Sequence, residues 1–192
     1  MFAQGARLCW SKSNNIQCLS QTEYIFKIMV RTRKQTLTIF WLVSIFVILL
    51  DQVTKFMILT AIPVNSSETI IPGLLNFTHV KNPGAAFGAF AENGGTVGRI
   101  ALSIVSFVAL VIITWIVFFQ PLDFYSVIGF ALFFGGAAGN FIDRILFGEV
   151  TDFIDIYARG LHWPAFNIAD SALSIGAFIF CMRLIIPSRA QS

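Results

Sequence analysis

Apolar positions gather into four long runs, covering roughly residues 37–59, 97–119, 125–142 and 168–186. Each approaches the length of a membrane helix, about 20 mainly apolar residues. The pattern therefore predicts four spans. Between the second and third lies only QPLDF, residues 120–124, a turn in which Pro121 helps to stop the preceding helix. Residues 60–96 are different in kind: ETIIPGLLNFTHVKNPGAAFGAF sets β-branched and aromatic residues between Pro72-Gly73 and Pro83-Gly84. Short strands joined by turns are predicted there, forming a small sheet that lies on the membrane face and covers a site between helices. Residues 143–167 read as a second connecting loop. Residues 1–28 are polar, without an apolar period or the apolar stretch of a signal peptide. They are expected to be a disordered extension or a misplaced start ahead of Met29, with residues 29–192 as one membrane domain.

Composition excludes a water-soluble fold. The chain of 192 residues is 56% apolar and only 12% charged, with 21 Phe, far from a soluble average. A net charge of +3 is too small and scattered to argue for a nucleic-acid partner, but its placement is informative. Lys27, Arg31, Arg33 and Lys34 precede the first run, and Arg183 and Arg189 close the last. The positive-inside tendency puts both termini in the cytoplasm, which requires an even number of spans and sends residues 60–96 and 143–167 to the outer face. Three cysteines, Cys9, Cys18 and Cys181, have neither disulfide-framework nor zinc spacing. No internal repeat supports an inverted-repeat transporter.

Five of the ten acidic residues fall within Asp143–Asp170, in the text GNFIDRILFGEVTDFIDIYARGLHWPAFNIADS, residues 139–171. Carboxylates beside a bilayer are expensive and need a reason. Two of them held together can share a proton, one activating water while the other polarises a carbonyl. Asp152 after the third run and Asp170 at the start of the fourth lie at the same face. Asp143 and Asp155 are equally local, so spacing alone does not select a pair, and a solvated acidic loop is the competing account. Asn140 and Asn167 can hydrogen-bond in apolar surroundings and orient neighbouring carboxylates. Asp143 and Arg144 belong to the same polar region, with an ordinary interfacial ion pair as the alternative for Arg144. Asp51 and Lys55 stand at i,i+4, a spacing that suits a structural ion pair. Gly135 and Gly139 form a GxxxG, and Ala172 with Gly176 a small-xxx-small face, which predicts close approach of the third and fourth helices. His79 and His162 have no ligand pattern, and no metal or other cofactor is expected.

At these residues the chain resembles bacterial lipoprotein signal peptidase, also called signal peptidase II. The blocks are DQVTK at 51–55, NPGAAFG at 82–88, GNFIDRILFGEVTDFID at 139–155 and FNIADS at 166–171, within a match from about Arg31 to Arg183. Their joint order on four spans is highly specific. The resemblance implies an all-α membrane protein of four transmembrane helices with a small extracytoplasmic β-cradle and an active site at the outer membrane face. It implies an aspartic endopeptidase of the bacterial inner membrane that removes the signal peptide of a prolipoprotein just before a diacylglyceryl-modified Cys. The family's dyad maps onto Asp152 and Asp170. Asn82, Gly84, Asn140, Asp143, Arg144, Asn167 and Ala169 match other family positions near the site, and Asp51 and Lys55 its first-helix motif. The implied partners are the lipidated substrate and membrane lipids, and a monomer would suffice.

Three rival readings remain on the residues alone. A proton-coupled transporter or channel would use Asp51, Asp152 and Asp170 as a relay, but relay groups should be spread through the membrane depth. A non-enzymatic scaffold would use the polar cluster as a clasp. A metal-dependent hydrolase would bind Mg²⁺ or Ca²⁺ through carboxylates.

Overall fold

The computed structural model describes residues 7–12, 15–20, 33–84 and 95–185. Met29, residues 85–94 of the NPGAAFGAF region and Arg189 lie outside them. A hairpin of β1 (Arg7–Lys12) and β2 (Asn15–Ser20) comes first, inside the segment expected as an extension. Then follow α1 (Arg33–Ala61), β3 (Ser67–Ile71), β4 (Leu75–Asn82), α2 (Gly95–Phe119), α3 (Phe124–Leu146), β5 (Val150–Ala158), β6 (Leu161–His162) and α4 (Ile168–Ile185).

Among the described residues, three helices are long and apolar enough to cross a membrane: Arg33–Ala61, Thr96–Phe119 and Phe124–Leu146. Their surfaces carry large exposed apolar side chains, among them Leu42, Phe46, Phe56, Val105, Phe107 and Trp115. In water such a surface would aggregate. Against lipid it is the ordinary outside of a bundle, and the chain is a multi-pass helical membrane protein.

Close packing is made by small residues. Ser44, Val47, Asp51 and Lys55 step along α1 beside Ala131, Gly135, Gly139 and Asp143 on α3. The Ser44 hydroxyl donates to the Ala131 carbonyl at 3.1 Å, and a Cβ on Gly135 would come within 2.7 Å of Val47 Cβ. The GxxxG of α3 thus seats α1, where the sequence had paired it with the fourth helix. The α3–α4 contact rests instead on Gly136, whose absent Cβ would meet the Ala169 carbonyl oxygen at 2.5 Å, and on Gly176, which lies against Gly129. One residue of difference is about 100° around a helix, enough to exchange partners.

The sheet is larger than the pattern of residues 60–96 predicts. Strands β3 and β4 occupy the predicted outer segment, but the sheet is four-stranded, antiparallel and ordered β3-β4-β5-β6. Half of it comes from residues 143–167, read from sequence as a loop. The α3 helix ends at Phe147, and Gly148, at φ +78°, donates its N–H to the Arg144 carbonyl at 3.1 Å. That is the left-handed glycine stop, and it turns the chain directly into β5. The sheet caps one end of the bundle through Ile58 and Ile62 at the end of α1, packed with Phe77, Phe153, Ile154 and Ile168. At the opposite end Asp123 caps α3, its carboxylate accepting from the N–H of Tyr125 and Ser126 at 3.0 and 3.2 Å and from Arg183 of α4 at 2.6 Å.

Candidate active site

Where the sheet meets the bundle, three helix ends and two strands bring most of the expected polar residues together. The deepest part is an ion cluster around Lys55, which is 2% exposed. Its ammonium lies 2.7 Å from Asp51 Oδ2 and 2.9 Å from Asp143 Oδ2, and donates to Asn140 Oδ1 at 3.0 Å. Three N–H groups therefore meet three acceptors. The remaining carboxylate oxygens are also engaged. Asp51 Oδ1 accepts the Ala169 N–H at 2.9 Å, and Asp143 Oδ1 accepts Gln52 Nε2 at 3.0 Å. Gly139 makes room for this arrangement, since a Cβ there would lie 2.6 Å from Asp51 Oδ2. The i,i+4 ion pair expected on the first helix is present, and Asp143 joins it. Arg144 does not; among the described residues it makes no ion pair, and its guanidinium reaches Ser106 Oγ at 3.4 Å and the Asn140 carbonyl at 3.3 Å.

Two asparagines connect this cluster to a second pair of carboxylates. Asn140 Nδ2 donates to Asp170 Oδ1 at 2.7 Å, and Asn167 Nδ2 donates to Asp152 Oδ1 at 2.7 Å. The two amides are themselves joined, Asn167 Nδ2 to Asn140 Oδ1 at 3.2 Å. Local folding explains the placement of Asp170. Asn167 precedes α4 and its side-chain oxygen accepts the Asp170 N–H at 2.9 Å, while Asp170 Oδ2 accepts the Asn167 N–H at 3.3 Å. This reciprocal pattern is a capping box built from Asn and Asp, and the helix N-terminus is a favourable place for a carboxylate. Asp152 comes from β5. It stands opposite Val80 on β4, so that Asn82 is its diagonal neighbour and donates Nδ2 to Asp152 Oδ2 at 2.8 Å. Asn82 Oδ1 in turn accepts the Gly84 N–H at 2.9 Å.

Asp152 and Asp170 line a cleft of about 1060 Å³ together with Asn82, Gly84, Arg144, Leu102 of α2, the Trp163–Phe166 segment and Ser171, Ser174 and Ile175 of α4. Asp51 and Asp143 do not line it. Asp155 does not either; it is turned toward Asn76 Nδ2 at 2.9 Å and His162 at 2.8 Å. Geometry thus separates four acids that spacing could not. Among the described residues neither cleft carboxylate has a cation within ion-pair distance. Burial pushes the Asp152 carboxyl up to about 6; the Asn82 hydrogen bond opposes this and the Asp170 charge adds to it. An elevated carboxyl beside a second carboxylate in a cleft is an arrangement suited to acid–base work.

Three contributors escaped the sequence reading. Gln52, inside DQVTK, bridges Asp143 and the Gly139 carbonyl at 3.0 and 3.2 Å. Thr151 donates its backbone N–H to Asp143 Oδ2 at 3.1 Å. The Trp163–Phe166 wall is anchored by Phe166, whose carbonyl accepts from Phe153 and Ile154 at 3.0 and 2.8 Å. Only β5 carried a usable sign, the run Val150–Ala158 of β-branched and aromatic residues.

A membrane-embedded helical bundle with a paired-carboxylate cleft under a small sheet defines a class, the intramembrane aspartic hydrolases. Residues 43–186 match the family model described as signal peptidase (SPase) II. The lipoprotein signal peptidase of Desulforapulum autotrophicum is 42% identical over 146 residues, covering 75% of this chain and 90% of the relative. That of Syntrophus aciditrophicus is 40% identical over 162 residues, covering 83% and 99%. A solved bacterial membrane enzyme, at 34% identity, superposes with a TM-score of 0.69 over 80% of this chain and 91% of its own. The chain belongs to the signal peptidase II family, the membrane-embedded aspartic endopeptidases that process lipoproteins.

Proposed function

We propose that this chain cleaves prolipoproteins immediately before a diacylglyceryl-modified Cys, with Asp152 and Asp170 as the catalytic dyad. The observation that carries the assignment is the contrast in charge compensation. Among the described residues these two acids face the cleft with no cation at ion-pair distance, each steered by an asparagine, whereas Asp51 and Asp143 share the Lys55 ammonium.

The chemistry follows from one proton shared by the pair. Asp152, its carboxyl raised by burial to about 6, is assigned the acid's part: in the form of the pair that carries the shared proton, it donates that proton toward the scissile carbonyl oxygen. Asp170 accepts a proton from the attacking water, and hydroxide adds to the carbonyl carbon. Collapse breaks the C–N bond. Asp170 passes its proton to the leaving amine of the Cys, and the carbonyl re-forms as its oxygen returns a proton to Asp152. Asn82, Asn140 and Asn167 are positioning residues that fix the two carboxyl groups. Gly84 belongs to the cleft wall beside Asn82, and Ala169 ties the start of α4 to Asp51. Arg144 lines the cleft with a guanidinium available to substrate backbone or lipid.

The same reading orients the molecule. The α4 helix has 18 residues and at about 1.5 Å per residue extends about 27 Å, close to the bilayer core. It is taken as the fourth span. Basic residues near both ends of the chain favour cytoplasmic termini, which sets the sheet and cleft at the outer face of the inner membrane. There water reaches the dyad, while an apolar signal peptide and a lipid tail enter from the side. No second protein is needed, so the working unit is a monomer. Residues 29–192 form the peptidase domain on this account.

The test is cleavage of a synthetic prolipoprotein by the purified chain in lipid, with products mapped by mass spectrometry and chelator present. The account expects one cut, before the lipidated Cys, and at least about 10²-fold slower turnover of the unlipidated peptide, as remote binding energy is lost. Equal turnover of both peptides, or abolition by chelator, contradicts it.

A further inference from the structure

The β4 wall of the cleft carries backbone groups that no described residue pairs with. Strand β3 stops short of the end of β4. The last contacts on that side are at His79, whose N–H goes to the Ser66 carbonyl at 3.0 Å and whose carbonyl accepts from Asn65 at 2.8 Å. Beyond this point β4 continues to Asn82 with only β5 beside it, Lys81 standing opposite Thr151. In an antiparallel ladder, successive residues turn their N–H and C=O to alternate sides. Thr151 gives its N–H to Asp143 at 3.1 Å, and its carbonyl accepts from Asn167 at 3.4 Å. The Lys81–Thr151 pair is therefore a non-hydrogen-bonded one. Lys81 turns its own N–H and C=O to the opposite edge, where β3 has already ended and no described residue pairs with them.

This short edge lies beside the dyad. Val80, the neighbour of Lys81, stands directly opposite Asp152, and both Val80 and Lys81 line the cleft. The Lys81 ammonium is engaged by Glu149 at 2.9 Å, so the backbone is the open group. Pro83 has no N–H, which limits the edge to a single donor–acceptor rung at Lys81.

We propose that Lys81 pairs through its backbone with one residue of the bound substrate, holding the peptide beside the scissile bond as a short added strand. The proposal rests on the peptidase reading and adds how the substrate is kept in register with Asp152. A signal peptide is helical in the bilayer, and inside a helix its peptide groups are hydrogen-bonded to one another. Cutting requires local unwinding, which exposes N–H and C=O groups near lipid at a cost unless they find partners. Strand addition supplies those partners without reading side chains, as suits an enzyme with many substrates.

The experiment scans single backbone N-methylations through the residues flanking the cut in a diacylglyceryl lipopeptide. One position away from the scissile bond should lose about tenfold in kcat/KM, mainly through KM, the size expected for one neutral hydrogen bond. Its immediate neighbours should tolerate the methyl, because their N–H groups point away. On the enzyme, Lys81→Pro removes the edge N–H without breaking a ladder bond, and Lys81→Ala removes only the side chain. The loss in Lys81→Pro should exceed that in Lys81→Ala by about tenfold, and the sensitive position should become tolerant in Lys81→Pro. A flat scan on wild type that cleaves the unmethylated substrate overturns the proposal and leaves the peptidase reading intact, whether or not Lys81→Pro folds. Equal losses in the two Lys81 variants also overturn it. Failure of wild type to cleave the unmethylated lipopeptide would overturn the peptidase reading itself.

Discussion

Asp51 and Asp143 share a residue type and a neighbourhood with Asp152 and Asp170, yet the two pairs do different things. The first pair closes on the Lys55 ammonium and fills every remaining oxygen with a backbone or amide donor. The second pair is held by asparagines, which orient without neutralising. A buried carboxylate with a matched cation has little left to offer a substrate. One positioned only by amides stays free to take up or give a proton. Acid clustering near a membrane is thus a poor guide to function until the direct ion pairs are counted, and the cleft opens onto the two acids that, among the described residues, have none.

The largest effect should separate the pairs by what they bind. A substrate analogue with a hydroxyl-bearing tetrahedral carbon at the scissile position should bind wild type at least about 10²-fold more tightly than the matched amide. That advantage should vanish in Asp152→Asn and Asp170→Asn when measured by competition. An advantage retained in either variant would mean that the cleft acids do not face the reacting carbon.

Comparable in size is the effect on the structural pair. Lys55→Met leaves two carboxylates buried without their cation and should cost about 3–5 kcal/mol, read as a lower melting temperature in detergent. Adding Asp143→Asn should recover part of the loss. A Lys55→Met protein that melts with wild type would erase the distinction between the pairs.

The third prediction concerns pH. Asp152 has a folded pKa of about 6 against an ordinary 3.8, so folding favours its protonated form. Its contribution to stability is complete below about 3.8 and is lost as pH rises through about 6. Relative to Asp152→Asn, wild type should lose on the order of 2–3 kcal/mol between about pH 4 and pH 7. Parallel stability curves for the two proteins would mean that the Asp152 carboxyl is not raised in the folded state. Smallest is the outlying acid. The Asp155–His162 pair is half open to solvent on the His side, so His162→Ala should cost less than about 1 kcal/mol and leave cleavage within about twofold. A larger loss of activity would bring Asp155 back toward the site.

Three of the expected spans were legible because an apolar run near bilayer length is rarely anything but a membrane helix. The strands at Ser67–Ile71 and Leu75–Asn82 were legible from their Pro-Gly punctuation. The strand at Val150–Ala158 was not, because its acidic residues masked a run of β-branched and aromatic positions and suggested a loop. That omission also hid which acids share a cleft. Asp143 and Asp152 are separated by a helix end, a left-handed Gly148 and two strand residues, and no linear spacing encodes the resulting reversal. The DQVTK and FNIAD blocks marked residues that meet in one polar network, but not that Gln52 bridges to Asp143, nor that Asp170 and Asn167 cap each other. The partner of Gly135 was misread because Gly135 and Gly136 face different helices, and a four-residue motif does not say which helix it seats.

The most direct test of the central claim is single-turnover cleavage of a diacylglyceryl prolipoprotein by four proteins, Asp51→Asn, Asp143→Asn, Asp152→Asn and Asp170→Asn, each normalised to its folded fraction. The account predicts that the last two fold and are inactive, by about 10³-fold or more, while the first two melt earlier and still cleave. Cleavage by folded Asp152→Asn or Asp170→Asn would contradict it.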